Sequence, residues 1–575
     1  MSSFTPLSIP TSEPLWFGPA DTQLFGWLTR PRSTLVRGGI VLAPPIGSEN
    51  RAARRAMREL ADALSIAGYI VLRFDYRGTG DSSGDFTESI PDPEWLEDIN
   101  SAVSYLREGN ISNVSVVGMR IGATLAAAAT QRYPLDLAGL VLWDPCESGR
   151  SYLRELRALE SLRRADFKDE NDDSIETSEF LFVATMVKSL TPVNLTKVGP
   201  APFAGRVLVI EREERPLTQG LRNRLKSESA DFRVTTEQHA LIETYPFFAT
   251  MPTTTSALIV DWFLSSPPSD DIEANFAPRG NTVVEIDQSG REIVERALRI
   301  GPRDLFGVMT SSQDDGGGPC VVMINGLHED HTGPSRLWVE LSRRWARNGI
   351  RCLRVDVSGL GESPRGPNDP PLEAYDPLWP GEVTSLGSAL DPDHPSRVVF
   401  VGTCSGAYLA LEGALNLRSL GVCVINPPVG LDFIHTINRM QNSSSSLLQR
   451  LAVPMKQLTM RGHWVGAALW QLTRKILPSR WDTDVMEHIV DNGTDVYVLS
   501  SIEDLAPFQR FPGFRSIDGR RAGAMKGYPF KIVPELDHDM NVARGRERAA
   551  SMMQEHVRDT FTPPSQREQG EREQL

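Results

Sequence analysis

The amino-acid sequence predicts an α/β protein of two tandem domains, each a mostly parallel sheet flanked by helices and carrying a helical cap insertion. Three observations lead there. The chain repeats itself over the length of a whole domain. Apolar strand-like runs alternate with amphipathic helical stretches. Each half also holds a glycine-bracketed turn between a buried strand and a helix. A chain of 575 residues exceeds what one hydrophobic core supports, so length alone points to two or more domains.

The repeat emerges when the halves are compared in order. LFGWLT at 24–29, GGIVLAPPIG at 38–47 and GYIVLRFDYRGTGDSSG at 68–84 return as LFGVMT at 305–310, GPCVVMING at 318–326 and GIRCLRVDVSGLGES at 349–363. Phe25 and Phe306 stand 281 positions apart, and so do Asp75 and Asp356. That offset is the duplication of a domain and not a short-period solenoid. IVLAPP and CVVMIN are apolar, β-branched runs suited to buried parallel strands. Met57, Leu60 and Leu64 follow at helical spacing in the first half, and Trp338, Leu341 and Trp345 in the second. Gly68 and Gly349 close those helices before the next strand. Strand–helix–strand order with short loops implies a parallel sheet covered on both faces.

The expected organisation is a first domain at 1–266 with its cap at about 147–198, a linker at 267–281, a second domain at 282–562 with its cap at about 429–484, and a disordered tail at 563–575. The linker follows from the Pro/Ser/Asp-rich run Ser265 to Asp271. After it, TVVEIDQSGREIVERALRI alternates like a hairpin turning at Gln288, Ser289 and Gly290.

Further along come VSVVGMRIGATLAAAA at 114–129 and VVFVGTCSGAYLALEGAL at 398–415. Each reads as a strand, a turn of form G-x-x-x-G and a helix of small residues. This is the context of the nucleophile elbow G-x-Nuc-x-G, whose strained turn lifts the central side chain off the sheet. With the turns Asp75–Ser82 and Asp356–Ser363, these motifs make both halves resemble the α/β-hydrolase superfamily over almost the whole chain. The halves differ at the central position. Gly118-Met-Arg-Ile-Gly122 places Arg120 there, and a guanidinium stays protonated and cannot attack a carbonyl. Gly402-Thr-Cys-Ser-Gly406 places Cys404 there. A frame centred on Ser405 fails because Thr403 is not small.

The resemblance implies the remaining roles. The family's chain order is nucleophile, acid, histidine, which puts the partners after Cys404. Asp504, past the strand-like run DVYVLSS at 495–501, matches the acid, with Glu503 as substitute, and His538, after FKIVPEL at 530–536, matches the histidine. The backbone N–H groups of Ser405 and Leu327 match the oxyanion hole. The implied activity is that of an ester, lactone or thioester hydrolase (including thioesterases) or an acyltransferase working through a Cys404 acyl-enzyme, on a small acyl substrate that is free or linked to a carrier or coenzyme A. Dienelactone hydrolases and polyhydroxyalkanoate synthases place cysteine in this frame, but neither has this tandem architecture. A different class remains open, a non-catalytic pseudo-hydrolase that binds a small molecule or a partner.

Plainer readings stand beside these. A cysteine is usually a buried small hydrophobe, and Cys146, Cys320, Cys352 and Cys423, in or beside strand-like runs, are expected in the core. His328 and His331 lack the spacing of a helical metal pair and are read as loop residues at the site mouth, with no metal and no cofactor expected. His239 reads as a relic of the duplicated histidine, with Glu211, Glu213 and Glu214 in the matching acid loop. Arg120 reads either as a binder of a carboxylate or phosphate at the degenerate site or, in the favoured reading, as a salt-bridged structural residue. Met440, Met455, Met460, Trp464, Trp470 and Trp481 in the second cap suit either an acyl chain or an ordinary cap core, while the first cap is charged and expected to be solvated.

Composition narrows the partners. A net charge of −14 disfavours nucleic acid and anionic lipid. No run reaches the ~18–20 apolar residues needed to span a bilayer, and Met1 to Pro14 lacks the pattern of a secretory signal. Five cysteines without CxxC spacing suggest neither disulfides nor zinc, and a reducing cytoplasm is the expected setting.

Overall fold

The computed structural model describes residues 10–561 except 34, 86, 89, 164–172, 178–179, 198–202, 228, 245–248, 266–271, 278, 288, 314–317, 328, 374, 429–484 and 505–529. The second cap therefore lies outside the described residues, as do most of the first cap's charged run, His328 and the tail. The chain divides into two compact units, Met1–Glu285 and Ile286–Leu575.

Among the described residues of the first unit, the main strands are β1 (Thr11–Phe17), β2 (Leu24–Arg30), β3 (Gly38–Ala43), β4 (Tyr69–Phe74), β5 (Val114–Met119), β6 (Gly139–Trp143), β7 (Arg206–Arg212) and β8 (Asp231–Thr235). They form one eight-stranded sheet in the order β1-β2-β4-β3-β5-β6-β7-β8. β1 and β2 are antiparallel and the strands from β4 to β8 are parallel. Side chains alternate between faces, and both faces are apolar. Ile40, Leu42 and Val117 pack on α1 (Ser48–Ile66) through Met57, Leu60 and Leu64. Val41, Leu72 and Val116 pack instead with α2 (Leu96–Glu108) and α3 (Ile121–Arg132). Each such fully buried aliphatic side chain contributes about 1.5–3 kcal/mol.

The second unit repeats this plan. Its sheet starts with β9 (Asn281–Ile286), within which the boundary between the units falls, and continues with β10 (Glu292–Ile300), β11 (Leu305–Ser312), β12 (Cys320–Ile324), β13 (Cys352–Val355), β14 (Val398–Thr403), β15 (Gly421–Ile425), β16 (Asp495–Ser500) and β17 (Phe530–Ile532). Their order is β9-β10-β11-β13-β12-β14-β15-β16-β17, so β10 to β17 follow the first unit's order. The expected hairpin forms between β9 and β10, with Gly290 at φ 83 in its turn. Trp338, Leu341 and Trp345 of α4 (Leu337–Arg347) cover one face of the sheet. α5 (Trp379–Leu390) and α6 (Ser405–Leu417) cover the other.

The repeat holds down to single hydrogen bonds. Ser82 Oγ donates to Asp75 O and accepts from Phe25 N–H, and Ser363 Oγ does the same with Asp356 O and Phe306 N–H. In both turns a glycine lies at φ 49, Gly80 and Gly361, where a Cβ would fall about 2 Å from Asp75 Oδ2 or Asp356 Oδ2.

Three features differ from the sequence pattern. Ile272, Glu273 and Phe276, in the expected linker stretch, belong to the first unit: Ile272–Glu273 pairs with Leu35–Val36, and the Phe276 ring meets Tyr105 at 5.4 Å. The first cap, where described, is not simply solvated, because Tyr152, Leu153, Leu156, Phe182, Met186 and Leu190 join the core. β17 stops at Ile532, two residues before Pro534, which has no N–H to continue a ladder.

Candidate active site

Strand β14 leads into α6 through the elbow. Cys404 there has φ 50 and ψ −120, a conformation that side chains other than glycine rarely adopt, with a strain of about 1–3 kcal/mol. The neighbouring glycines make the turn possible. A Cβ on Gly402 would sit 2.2 Å from Gly406 O, and one on Gly406 would sit 2.7 Å from Ile324 O in β12. Cys404 is partly exposed, whereas Cys146, Cys320, Cys352 and Cys423 are buried. Burial pushes the Cys146 thiol up to about 12 and the Cys352 and Cys423 thiols up as well.

Three expected site residues come together. His538 Nε2 lies 3.5 Å from Cys404 Sγ, and its Nδ1 lies 2.6 Å from Asp504 Oδ1. The hydrogen bond to Asp504, then the one to Cys404, pushes the His538 pKa up to about 11 against the opposing effect of burial. Glu503, the substitute acid, points to solvent, while Asp504 is half-buried in the first turn after β16.

Two further residues hold this chain and carry no motif. The Ser501 hydroxyl donates to Asp504 Oδ2 at 2.8 Å and accepts from Asp504 N–H at 3.1 Å. Asn426, at the end of β15 with φ 47, donates from Nδ2 to the carbonyls of Asp537 and His538 at 3.0 and 2.9 Å. Its Oδ1 accepts from Ser501 N–H at 2.8 Å, so one side chain ties the acid strand to the histidine loop. The only available signal was that Asn426 directly follows a buried strand. The Asp537 carboxylate accepts from Asn541 and Val542 N–H and starts α7 (Ala543–Phe561).

The two expected oxyanion donors behave differently. Among the described residues, Ser405 N–H, at the open end of α6, has no acceptor. Leu327 N–H is already engaged and donates to Ser405 Oγ at 2.8 Å. His331 is also placed otherwise than expected. It is 1% exposed, away from the site mouth, with Nδ1 at 2.9 Å from Asp356 Oδ2 and its backbone N–H on Asp356 Oδ1.

Sheet register makes Arg120, Asp144 and Arg215 of the first unit the counterparts of Cys404, Asn426 and Asp504. The acid's counterpart is therefore Arg215, while Glu211 is buried against Arg222. Arg120 shares the elbow strain, with φ 53 and ψ −124, and its guanidinium is 3% exposed. It meets Glu49 at 2.8 Å, Glu155 at 3.0 Å and Asp144 at 3.4 Å. Arg212 holds Asp144 at 2.5 Å, and Arg215 holds Glu155 at 2.6 Å. Burial works to raise the Glu155 carboxyl, but Arg215 and Arg120 outweigh it and hold it at about 2. Arg120 is thus a buried ion-pair hub beneath a cleft of about 160 Å³. His239 lies on the surface, paired with Glu243 at 2.8 Å.

Family comparisons agree with this architecture. Residues 51–165 match the model described as Serine aminopeptidase, S33, and residues 321–551 match that of the Alpha/beta hydrolase family. No curated protein matches the sequence. Similar solved structures include Est1E from Butyrivibrio proteoclasticus with bound ferulic acid, at 14% identity over 44% of this chain and 98% of that one, with a TM-score of 0.35. An esterase of Pyrococcus furiosus is similar at 16% identity over 46% and 95%, with a TM-score of 0.32. The thioesterase domain from the curacin biosynthetic pathway is similar at 14% identity over 44% and 99%, with a TM-score of 0.30. Among the described residues, no helix is long and apolar enough to cross a membrane. The chain is a member of the α/β-hydrolase superfamily, built as a tandem of two such domains.

Proposed function

We propose that the second domain catalyses covalent acyl transfer from an ester, lactone or thioester, and that the first domain has no covalent chemistry. The observation that carries this reading is the hydrogen-bonded chain Cys404–His538–Asp504, at 3.5 and 2.6 Å, with the sulfur raised on a strained turn. His538 takes the thiol proton, the thiolate attacks the carbonyl carbon, and the imidazolium returns the proton to the leaving group. Asp504 keeps the imidazole turned and its charged form stable, and Ser405 N–H donates to the oxyanion. Water or another nucleophile, activated by the same imidazole, releases the acyl group. The fates are hydrolysis for water and transfer for an amine, alcohol or thiol.

Two measurements test this. Treatment with an acyl thioester followed by peptide mapping should place the acyl group on Cys404 and lose it in Cys404→Ala. Iodoacetamide should alkylate Cys404 fastest of the five cysteines, and His538→Ala should slow it. Equal labelling of all the cysteines and no acyl adduct would favour the binding-protein alternative. Product analysis with and without added acceptors separates hydrolase from transferase: free acid alone, whatever is added, ends the transferase reading.

A further inference from the structure

The bond between Leu327 N–H and Ser405 Oγ, 2.8 Å long on a residue only 3% exposed, leaves the oxyanion hole one backbone donor short of the expected pair. An N–H has a single proton, so the one Leu327 directs at Ser405 is not directed at a substrate oxygen. A hydroxyl has one proton and two lone pairs. Leu327 takes one lone pair of Ser405 Oγ, and among the described residues nothing accepts its proton. In the two gauche rotamers of a serine, its N and Oγ lie within about 3 Å of each other. In such a rotamer, an oxygen that accepts from Ser405 N–H is within reach of Ser405 O–H, with no backbone movement.

We propose that the Ser405 hydroxyl is the second oxyanion donor, polarised by Leu327 N–H behind it. The inference rests on the acyl-transfer reading of the Cys404 site. As the Cys404 thiolate bonds to the acyl carbon, the carbonyl π pair moves onto oxygen, which accepts from Ser405 N–H and Ser405 O–H and takes no proton. When the carbonyl re-forms, the bond to the leaving group breaks, and the leaving group departs with the proton held by His538. Both donors stand ready in the ground state, the condition under which such donors lower a barrier most. The first domain, without a nucleophile, lacks the device. By register Ile121 replaces Ser405, and Pro44 and Pro45, which have no N–H, replace Asn325 and Gly326 ahead of Ile46, the Leu327 counterpart.

The test uses the full chain and two reagents that differ in one respect. A p-nitrophenyl ester acylates Cys404 through a tetrahedral oxyanion, whereas iodoacetamide alkylates it by displacement and forms none. In Ser405→Ala the nitrophenolate burst rate should fall about 10²-fold, and the alkylation rate should change by less than about twofold. An unchanged burst means the hydroxyl donates nothing, and a faster burst means it obstructs Leu327 N–H. A parallel fall in both rates means it sets the Cys404–His538 pair instead. Each of these overturns the proposal and leaves acyl transfer intact. A wild-type chain that alkylates at Cys404 but never forms an acyl adduct overturns both.

Discussion

At the scale of single residues, Cys404 and Arg120 share one backbone conformation, φ 50 and φ 53, and differ in what surrounds the side chain. Cys404 faces an imidazole whose pKa is pushed up to about 11, first by its bond to Asp504. His538→Ala should slow alkylation of Cys404 at neutral pH, as timed labelling would show. The sign for stability follows from the same shift. A raised histidine pKa contributes stability in full below about 6.5, the ordinary value, and that contribution is lost as pH rises through about 11. Asp504→Asn should therefore lower the second domain's melting temperature most near neutral and acidic pH, with the gap to wild type closing toward strong alkali. Arg120 stands among carboxylates instead. Arg120→Met would leave Glu49, Asp144 and Glu155 without their shared cation, and should destabilise the first domain by about 3–5 kcal/mol in chemical denaturation.

At the scale of elements, the site depends on strand ends arriving together at one edge of the sheet. β14 supplies Cys404, β15 supplies Asn426, and the loop after β16 supplies Ser501 and Asp504. Asn426 makes three hydrogen bonds across these loops. Asn426→Ala should let His538 drift and lower the acylation rate by about 10²-fold, with a much smaller loss of melting temperature than a core cavity would bring. Gly406→Ala addresses the elbow directly. Its Cβ would meet the carbonyls of Ile324 and Asn325 at 2.7 and 2.8 Å, which separates the elbow from β12 and the Leu327 loop. Acylation should be lost in that variant while the first domain's denaturation transition stays in place.

At the scale of the whole molecule, one duplicated plan carries two outcomes, a partly exposed thiol on a hydrogen-bonded imidazole and a buried arginine in a carboxylate cage. Peptide mapping after acylation should find one adduct per chain, at Cys404, with none within 1–285. The strands, the elbows, the duplication and the chain order of Cys404, Asp504 and His538 are legible in the sequence, because they rest on local patterns: apolar runs, helical spacing and glycines at turns. Other features join residues far apart along the chain, and no local pattern records them. Glu49 and Glu155 reach Arg120 across 71 and 35 residues, and Leu327 reaches Ser405 across 78. Asn426 reaches His538 across 112 residues, and His331 turns inward to Asp356 across 25. By itself the sequence determined the doubled α/β scaffold and which half carries a cysteine at its elbow. Sheet register alone decided which polar groups meet around it, because a hydrogen bond requires its partners about 3 Å apart, and only the packed strands set that distance.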